Sequence, residues 1–414
     1  MRQIEATMRK VYEVYDHEAA MEPMFPIDTR EHRESCGKLV QSSARLGGAL
    51  HPVTQRSVME VVRHMNSYYS NLIEGHNTHP VDIERALRKD YAKDPAKRAR
   101  QLESQAHIEV QRLIEGRLAR EDVSICSRAF LCWIHKEFYD RLPDEFCNVT
   151  TRSGKTERVE PGQIRTCEVE VGRHVAPASR VLGKLLSRFE AAYDPSAQDP
   201  LGRVIAAAAS HHRLAWIHPF LDGNGRVVRL FTHAYFIKAG LEGHGLWTVS
   251  RGFARRRDEY IAALAGADRQ RENDLDGRGN LSARGLDGFC RFFLDVAIDQ
   301  VEFMSSLLEL DTILRRISNY AERRAIEERV QLEAKHILTE TFLRGEISRG
   351  DAARVTGKPV RTGQRILREL LDAGLVASDT AKGAIRIAFP VKCVGYYFPR
   401  LYPEGVELDS MGAH

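Results

Sequence analysis

The sequence predicts a mainly α-helical protein with one short β-hairpin and a C-terminal winged helix-turn-helix. TCEVEV at 166–171 alternates apolar and acidic residues, and segments that contain Pro and Gly lie on both sides of it. This pattern is typical of a short β-hairpin. From about residue 329 the pattern changes to a helix, a short helix, a basic helix and two strands around residues 381–383, the order of a winged helix-turn-helix. Elsewhere, apolar residues recur at three- and four-residue steps in the following helical stretches: VTQRSVMEVVRHMNSYYSNLIE, RARQLESQAHIEVQRLIEGRL, ICSRAFLCWIHKEFYDRL, SRVLGKLLSRFEAAY and GRVIAAAASHHRLAWIH.

The composition excludes several classes of protein. The 414 residues are enough for two to three folded units, and 43% hydrophobic with 29% charged residues is an ordinary globular balance. No apolar run approaches a membrane span, and the N-terminal segment lacks the apolar core of a secretory signal. The seven cysteines form no CxxC pair, which disfavours a disulfide framework or a cysteine-type zinc site. We therefore expect a cytoplasmic protein without a membrane partner, and a net charge of +4 does not by itself indicate nucleic-acid binding.

The segment HPFLDGNGRVVR at 218–229 combines a helix end, a glycine turn and a helix start. Pro219 resists continuation of the preceding helix, which is therefore expected to end near His218. Beyond this break, the GNG turn at 223–225 can adopt positive φ and leads into a second helix. Free N–H groups at such a helix N-terminus point at one spot, so the sequence predicts an anion hole suited to phosphate.

The same segment carries groups that suit chemistry on a nucleotide. Arg226 and Arg229 are three residues apart on one helical face, where two guanidinium groups can grip two phosphates. Asp222 offers a hard oxygen ligand beside those phosphates, which suits Mg²⁺. His218 can accept a proton from an incoming hydroxyl. Each feature alone is more often structural, but their order within one short segment favours in-line attack on a nucleotide phosphate.

A histidine cluster is the alternative interpretation of this region. His211, His212 and His218 are close in sequence and could suggest a metal site. On a helix, however, the adjacent His211 and His212 point about 100° apart, and no acidic residue lies at ligand spacing. The pattern therefore disfavours zinc.

HPFLDGNGRVVR resembles the Fic signature HxFx(D/E)GN(G)RxxR at every defined position. The resemblance covers roughly residues 50–300. It includes TCEVEVG, which is similar to the family's flap, and SRGFARRRDEYIAALAGADR, which is similar to the helix that closes the adenine pocket. The resemblance implies transfer of AMP from ATP to a Ser, Thr or Tyr hydroxyl of a target protein, with release of pyrophosphate.

The resemblance also implies a role for individual residues. His218 would be the general base and Asp222 the Mg²⁺ ligand, while Asp268 departs from the pattern because relatives often carry an amide there. The nucleotide-binding residues implied are Gly223, Asn224 and Gly225 in the anion hole, Arg226 on the phosphate chain, Arg229 on the γ-phosphate, Val171 and Gly172 in the flap, and Tyr260 on the adenine side.

SNLIEG at 70–75 matches the inhibitory motif (S/T)xxxE(G/N) of Fic relatives, with Ser70, Glu74 and Gly75 at the defined positions. We expect Glu74 to form a bidentate pair with Arg229, which would remove the γ-phosphate's partner and place negative charge where phosphate binds. The alternative is an ordinary helix C-terminus in which Glu74 is solvated and Gly75 is the cap.

The chain is expected to divide into five segments. We predict an N-terminal helical region with the inhibitory motif at 1–100, a Fic catalytic core at 101–300, a linking helix at 301–328, a winged helix-turn-helix at 329–400 and a tail at 401–414.

Two surfaces are candidates for binding partners. The strand edge of the flap, residues 166–175, could pair with a segment of the target protein. In the C-terminal unit, Arg361, Arg365 and Arg368 would lie on one side of the second short helix. That face could contact DNA, dock another protein or simply be solvated, and assembly into a homo-oligomer is also left open.

The leading interpretation is a protein adenylyltransferase restrained by its own Glu74, which could also position a water to remove AMP from a modified protein. One alternative is Fic-type transfer of another phosphate-containing group. A second is a transcriptional regulator in which the Fic-like domain senses nucleotide and the winged helix binds DNA.

Overall fold

The computed structural model describes residues 15–27, 29–150, 156–172, 174–241, 243–328 and 330–406. The fold is mainly α, as predicted. The last eight residues of the predicted tail lie outside the described residues. The N-terminal helices are α1 (Arg30–Gly47), α2 (Pro52–Ile73), α3 (Pro80–Leu87), α4 (Pro95–Leu118) and α5 (Arg128–Tyr139). The central helices are α6 (Leu182–Tyr193), α7 (Pro200–Ile217), α8 (Asn224–Ala239), α9 (Ser250–Arg255), α10 (Arg257–Ala267) and α11 (Ala283–Leu307). The C-terminal helices are α12 (Leu310–Glu327), α13 (Ala334–Arg344), α14 (Arg349–Arg354), α15 (Val360–Asp372) and α16 (Val391–Tyr397).

The strands are short and form three small antiparallel sheets within the described residues. β1 (Asn148–Thr150) pairs with β2 (Thr156–Arg158), and β3 (Glu170–Val171) pairs with β4 (His174–Val175). The third sheet has the order β5-β7-β6. Its strands are β5 (Glu346–Ile347), β6 (Val376–Ala377) and β7 (Ile385–Ile387).

Helix α7 lies at the centre of the fold because its sequence lets it be buried almost all round. Asp199 caps its N-terminus and Pro200 occupies the first turn, where the missing N–H costs nothing. The four alanines at 206–209 are buried and allow neighbouring helices to approach closely. Helix α8 packs beside α7 and is also mostly buried. The segment 218–223 connects the two helices, so both ends of this connection are fixed by the core.

Helix α2 spans the molecule from the C-terminal elements to the region of α8. Near its start, the Thr54 hydroxyl donates to the carbonyl of Phe342 at 2.7 Å, and the Ser57 hydroxyl donates to the carbonyl of Ile387 at 2.7 Å. In its middle, Arg63 donates to Glu115 of α4, which also contacts His233 of α8 at 3.0 Å. Hydrogen bonds from His233 and Arg63 outweigh the effect of burial and lower the pKa of Glu115 to about 2. The helix that ends at the inhibitory motif is thus held along its length.

The linking helix predicted at 301–328 is not continuous. Helix α11 ends at Leu307 and α12 begins at Leu310. The last helical bond of α11 runs from the N–H of Leu308 to the Met304 carbonyl, and the Arg316 guanidinium donates to the carbonyl of Leu307 at 3.0 Å. Residues 301–328 thus contain the end of α11 and all of α12, and the division of the chain into segments stays a prediction.

The predicted hairpin is shorter than the alternating pattern suggested, because only residues 170–171 of TCEVEV form a strand. The preceding residues are held by side chains instead: the Arg165 guanidinium donates to the Cys167 carbonyl at 2.9 Å, and the Glu168 carboxylate accepts from the Ser179 N–H at 3.1 Å. The hairpin of β1 and β2 was not predicted. Its strands are polar and largely exposed, so they lack the apolar alternation on which the prediction relied.

The C-terminal region contains, in order, a helix, a strand, two helices and two strands, followed by α16. Helices α14 and α15 approach closely: a Cβ on Gly363 would lie 2.6 Å from the carbonyl oxygen of Ala353. Strand β5 and helix α16 were not foreseen. Assignment of this unit to the winged helix-turn-helix class stays a prediction.

None of the helices in the described part of the chain combines the length and apolar character that crossing a bilayer requires.

Candidate functional site

The connection between α7 and α8 begins at His218, which has a backbone conformation unusual for a non-glycine residue. Its φ of 49° and ψ of 60° lie in the left-handed region, and it forms the C-cap of α7. The Arg165 side chain donates to the His218 carbonyl at 2.8 Å, and the Arg165 N–H donates to the Pro219 carbonyl at 3.0 Å. The predicted helix break before Pro219 is therefore present, and strain of this kind is often found at functional residues.

The glycine turn is closed by the side chain of Asn224. Its amide donates to the Phe220 carbonyl at 2.8 Å and accepts from the Phe220 N–H at 2.9 Å. Gly223 has a φ of 76°, and a Cβ there would lie 2.8 Å from the Tyr139 ring, so only glycine fits. The first intrahelical N–H bond of α8 comes from Val227, which leaves the N–H groups of residues 224–226 without helical partners. The loop thus has the geometry expected of an anion-binding helix N-terminus.

Asp222 is oriented by two residues of α5 that the sequence did not indicate. The Tyr139 hydroxyl donates to the Asp222 carboxylate at 2.8 Å. His135 lies 3.3 Å from the Asp222 carbonyl through Nε2, and its Nδ1 accepts from the Gly162 N–H at 2.8 Å. Because Nδ1 is an acceptor, Nε2 carries the proton and donates. Burial, together with the charge of Asp222, raises the pKa of Tyr139, so its hydroxyl remains a donor.

Arg229 is bound by residues of the SNLIEG segment at 70–75. Its Nε donates to the Ser70 hydroxyl at 2.8 Å, and its Nη2 donates both to the Ser70 carbonyl at 3.0 Å and to Glu74 Oε1 at 2.7 Å. The bidentate pair predicted with Glu74 is wrong: Glu74 accepts from Nη2 through one oxygen, while Ser70 accepts from Nε and from Nη2. Burial alone would raise the pKa of Glu74, but Arg229 and Arg226 outweigh it and hold that pKa below its usual range.

Glycines lie on both sides of the contact between Glu74 and Arg229. Gly75 has a φ of 87° and ends α2, and the His76 N–H bonds back to Asn71. A Cβ on Gly225 would lie 2.3 Å from Glu74 Oε1, so the absence of a side chain at 225 leaves the space that Glu74 occupies. Gly75 is therefore a helix cap as the alternative interpretation held, yet Glu74 is paired with Arg229 while 35% of its side chain remains exposed.

Arg226 also has an acidic partner, which the sequence did not indicate. Its Nη2 donates to Glu103 of α4 at 2.9 Å, and both side chains are more than nine-tenths buried. Glu103 contacts His76 as well, at 2.6 Å, and this hydrogen bond raises the pKa of His76. Both arginines of α8 thus face carboxylates supplied by helices outside the loop.

The flap is tied at its base by Arg165. This buried guanidinium donates to carbonyl groups on both sides of the hairpin, at Cys167 (2.9 Å) and Pro177 (2.6 Å). Val171 at the tip is half exposed, and Gly172 has a φ of 60° that suits the tight turn. Residue 173 lies outside the described residues.

Tyr260 is buried beneath the loop. Its ring stacks on Phe253 with centroids 4.4 Å apart, its hydroxyl lies 2.8 Å from His211 Nε2, and the residue is 5% exposed. His211 is held on its other side by Thr232 at 2.7 Å. Tyr260 and His211 therefore belong to the aromatic core beneath the loop in this conformation.

The electrostatic surroundings of His218 favour its neutral form. Burial, followed by the nearby charges of His174 and Arg165, lowers the pKa of His218 to about 3. A neutral imidazole can accept a proton, so His218 is in the state that a general base requires at neutral pH.

The fold and the site define a class of helical protein with a loop that begins at a histidine and contains glycines. The helix that follows this loop carries two arginines, and each is paired with a carboxylate. Residues 125–236 match the sequence model of the Fic/DOC family. The chain therefore contains a Fic domain.

Comparison with known proteins gives similarity over the same region. The chain is 39% identical over 87 residues to Protein adenylyltransferase Fic of Drosophila grimshawi, which is 21% of this chain and 18% of the relative. The Drosophila melanogaster protein of the same name is 38% identical over 87 residues, with the same coverage. The match spans less than one fifth of the length of these curated relatives.

A solved structure of Fic-1 from C. elegans shares the fold. It superposes with a TM-score of 0.51 at 16% sequence identity, covering 68% of this chain and 74% of that one.

Proposed function

We propose that the protein is an adenylyltransferase that transfers AMP from ATP to a hydroxyl group of a target protein. The observation that carries the proposal is the loop itself: a strained, neutral His218 precedes a helix N-terminus with unpaired N–H groups and two buried arginines. The names of the Drosophila relatives support the same activity.

The proposed reaction uses the loop residues as follows. The target hydroxyl gives its proton to His218 as its oxygen bonds to the α-phosphorus of ATP. The bond from that phosphorus to the pyrophosphate oxygen breaks, and pyrophosphate leaves. The N–H groups at the start of α8 stabilise the negative charge, and Arg226 and Arg229 hold the phosphate chain. The described part of the flap would present its strand edge to the target segment.

Asp222 is the residue that would hold Mg²⁺. Its carboxylate is a hard oxygen donor, and Tyr139 occupies one of its two oxygens, which fits an ion held by few protein ligands and by substrate phosphates. When bound, Mg²⁺ would neutralise phosphate charge; Tyr139 would fix the direction in which Asp222 points.

In the proposed resting state, Glu74 restrains the enzyme by occupying Arg229, and Glu103 occupies Arg226. We also propose that Glu74 could position a water molecule to remove AMP from a modified target. Release of AMP by the parent protein but not by Glu74→Gly would support this reverse activity.

ATP labelled at two different phosphates tests the reaction type. The same cell lysate is incubated with the Glu74→Gly variant and either labelled ATP. We expect its proteins to acquire label from α-³²P-ATP and none from γ-³²P-ATP. The reason is that adenylyl transfer keeps the α-phosphate on the target, whereas a kinase keeps the γ-phosphate. Intact mass of a labelled product then distinguishes AMP from UMP. Label from γ-³²P-ATP alone would contradict the proposal and favour transfer of a phosphoryl group.

A second candidate function is DNA binding by the C-terminal unit. Arg361, Arg365 and Arg368 are all exposed on α15, and among the described residues only Arg365 has an ion pair, a distant one of 3.8 Å with Glu369. An arginine-bearing helix packed closely on a preceding short helix is the arrangement that reads a DNA groove. In that case the Fic domain could act as the nucleotide sensor of a regulator.

Gel-shift measurements on duplex DNA test this second candidate. We expect a shift that weakens as salt rises and that Arg361→Ala with Arg368→Ala reduces by roughly one to two orders of magnitude, because each lost phosphate contact weakens binding. The shift should survive His218→Ala, which leaves α15 untouched. No shift at low salt would remove this candidate without affecting the adenylyltransferase proposal.

A further inference from the structure

The tip of the flap is joined to the end of α10 by a histidine that the mechanism above does not use. His174 of β4 lies with Nδ1 3.1 Å from the Asp268 carboxylate and Nε2 3.0 Å from the Trp216 carbonyl. Its side chain is 15% exposed, and its ring centroid is 6.1 Å from that of His218. One side chain thus connects the flap, α10 and the end of α7.

The two contacts place an acceptor beside each ring nitrogen of His174. A carbonyl oxygen can only accept, and so can an ionised carboxylate. Burial alone would raise the pKa of Asp268, but hydrogen bonds from His174 and His212 outweigh it and hold that pKa well below its usual range. Asp268 is therefore ionised, and its carboxylate accepts a hydrogen bond from the flap through His174.

Asp268 is itself fixed by a second histidine. His212 Nε2 lies 3.0 Å from the Asp268 carboxylate, and His212 Nδ1 accepts from the Arg213 guanidinium at 2.8 Å. Because Arg213 has no acceptor atom, His212 must be neutral with its proton on Nε2. Burial lowers the pKa of His212, in agreement with this tautomer. The carboxylate that receives His174 is thus held by a rigid, fully buried neighbour.

We propose that His174 and Asp268 form a latch that fixes the flap over the loop. The inference rests on the proposed function. His174 would be a positioning residue rather than a catalytic one, because it sets where the flap edge receives the target.

Hydrogen exchange of the resting protein tests the latch without requiring activity. We expect flap amides at 166–172 to exchange about tenfold faster in His174→Gln and in Asp268→Asn, since each loses a charge-assisted hydrogen bond. The double variant should exchange no faster than either single variant. His336→Gln is the matched control, because it makes the same change at an exposed position of α13, and it should leave flap exchange unchanged. Unchanged exchange in both single variants, or additive effects in the double variant, would overturn the latch.

The rate of lysate labelling by α-³²P-ATP tests the consequence for the proposed reaction, in the Glu74→Gly background. We expect His174→Gln and Asp268→Asn to reduce labelling to a similar extent, because either change loosens the strand edge that receives the target. A loss in one variant without the other would overturn the role of the latch in placing the target. If no variant labels anything while the exchange results hold, the adenylyltransferase proposal fails and the latch stands.

Discussion

Replacing His218 with alanine is expected to reduce labelling of target proteins by α-³²P-ATP by roughly 10²- to 10⁴-fold, the usual contribution of a general base. The measurement is best made in the Glu74→Gly background, where the parent signal is highest. The loss reflects a slower chemical step and not weaker ATP binding. The N–H groups at the start of α8 and Arg229 are unchanged, so ATP affinity should stay within a few-fold of the parent value.

A second substitution at position 218 separates loss of the imidazole from strain in the backbone. Because His218 has a left-handed backbone, alanine strains the connection, whereas asparagine adopts this conformation more readily. His218→Asn should therefore keep the parent melting temperature and still lose labelling. His336→Ala, which removes an exposed imidazole from α13, should label as the parent does. Parent-level labelling by a stably folded His218→Asn would show that His218 is not the base.

Features that depend on neighbouring residues could be predicted from the sequence. The helix end before Pro219 and the tight turn at Gly223 are set by local backbone sterics, and the structure contains both. The partners of the loop could not be predicted, because Tyr139, Glu103 and Arg165 reach it from distant parts of the chain. Tyr139 and Glu103 lie in helices whose periodicity reports only which face is buried, and Arg165 lies in a segment without helix or strand. Pairing between side chains of different helices leaves no periodic signal.

The contact between Glu74 and Arg229 illustrates the same limit. Charge complementarity predicts a bidentate pair, but the hydroxyl and the carbonyl of Ser70 accept from Nε and Nη2 of the same guanidinium. The motif predicts which residues meet, whereas their geometry depends on the packing of α2 against α8. The place of Tyr260 on the adenine side stays a prediction, and in the structure its hydroxyl lies 2.8 Å from His211 Nε2.

Replacing Glu74 with glycine is expected to raise labelling by α-³²P-ATP by roughly 10- to 100-fold, the factor that corresponds to one hydrogen bond between charged groups. The variant frees one N–H of Arg229 Nη2 and the space beside Gly225, while Ser70 still accepts from Nε and from Nη2 and keeps the guanidinium in place. The γ-phosphate can then take the position of the carboxylate. ATP affinity, measured by calorimetry, should rise by a similar factor.

A matched substitution shows whether the gain comes from this contact. Glu328 is the C-cap of α12, as Glu74 is of α2, and both have a helical backbone conformation. Glu328→Gly therefore makes the same change at a helix end far along the chain, and labelling should not rise. Glu74→Gln should fall between the parent and Glu74→Gly, because it removes the charge but keeps the bulk beside Gly225. Equal labelling by the parent and Glu74→Gly, with equal ATP affinity, would mean that the pair with Arg229 stabilises the helix end without restraining the enzyme.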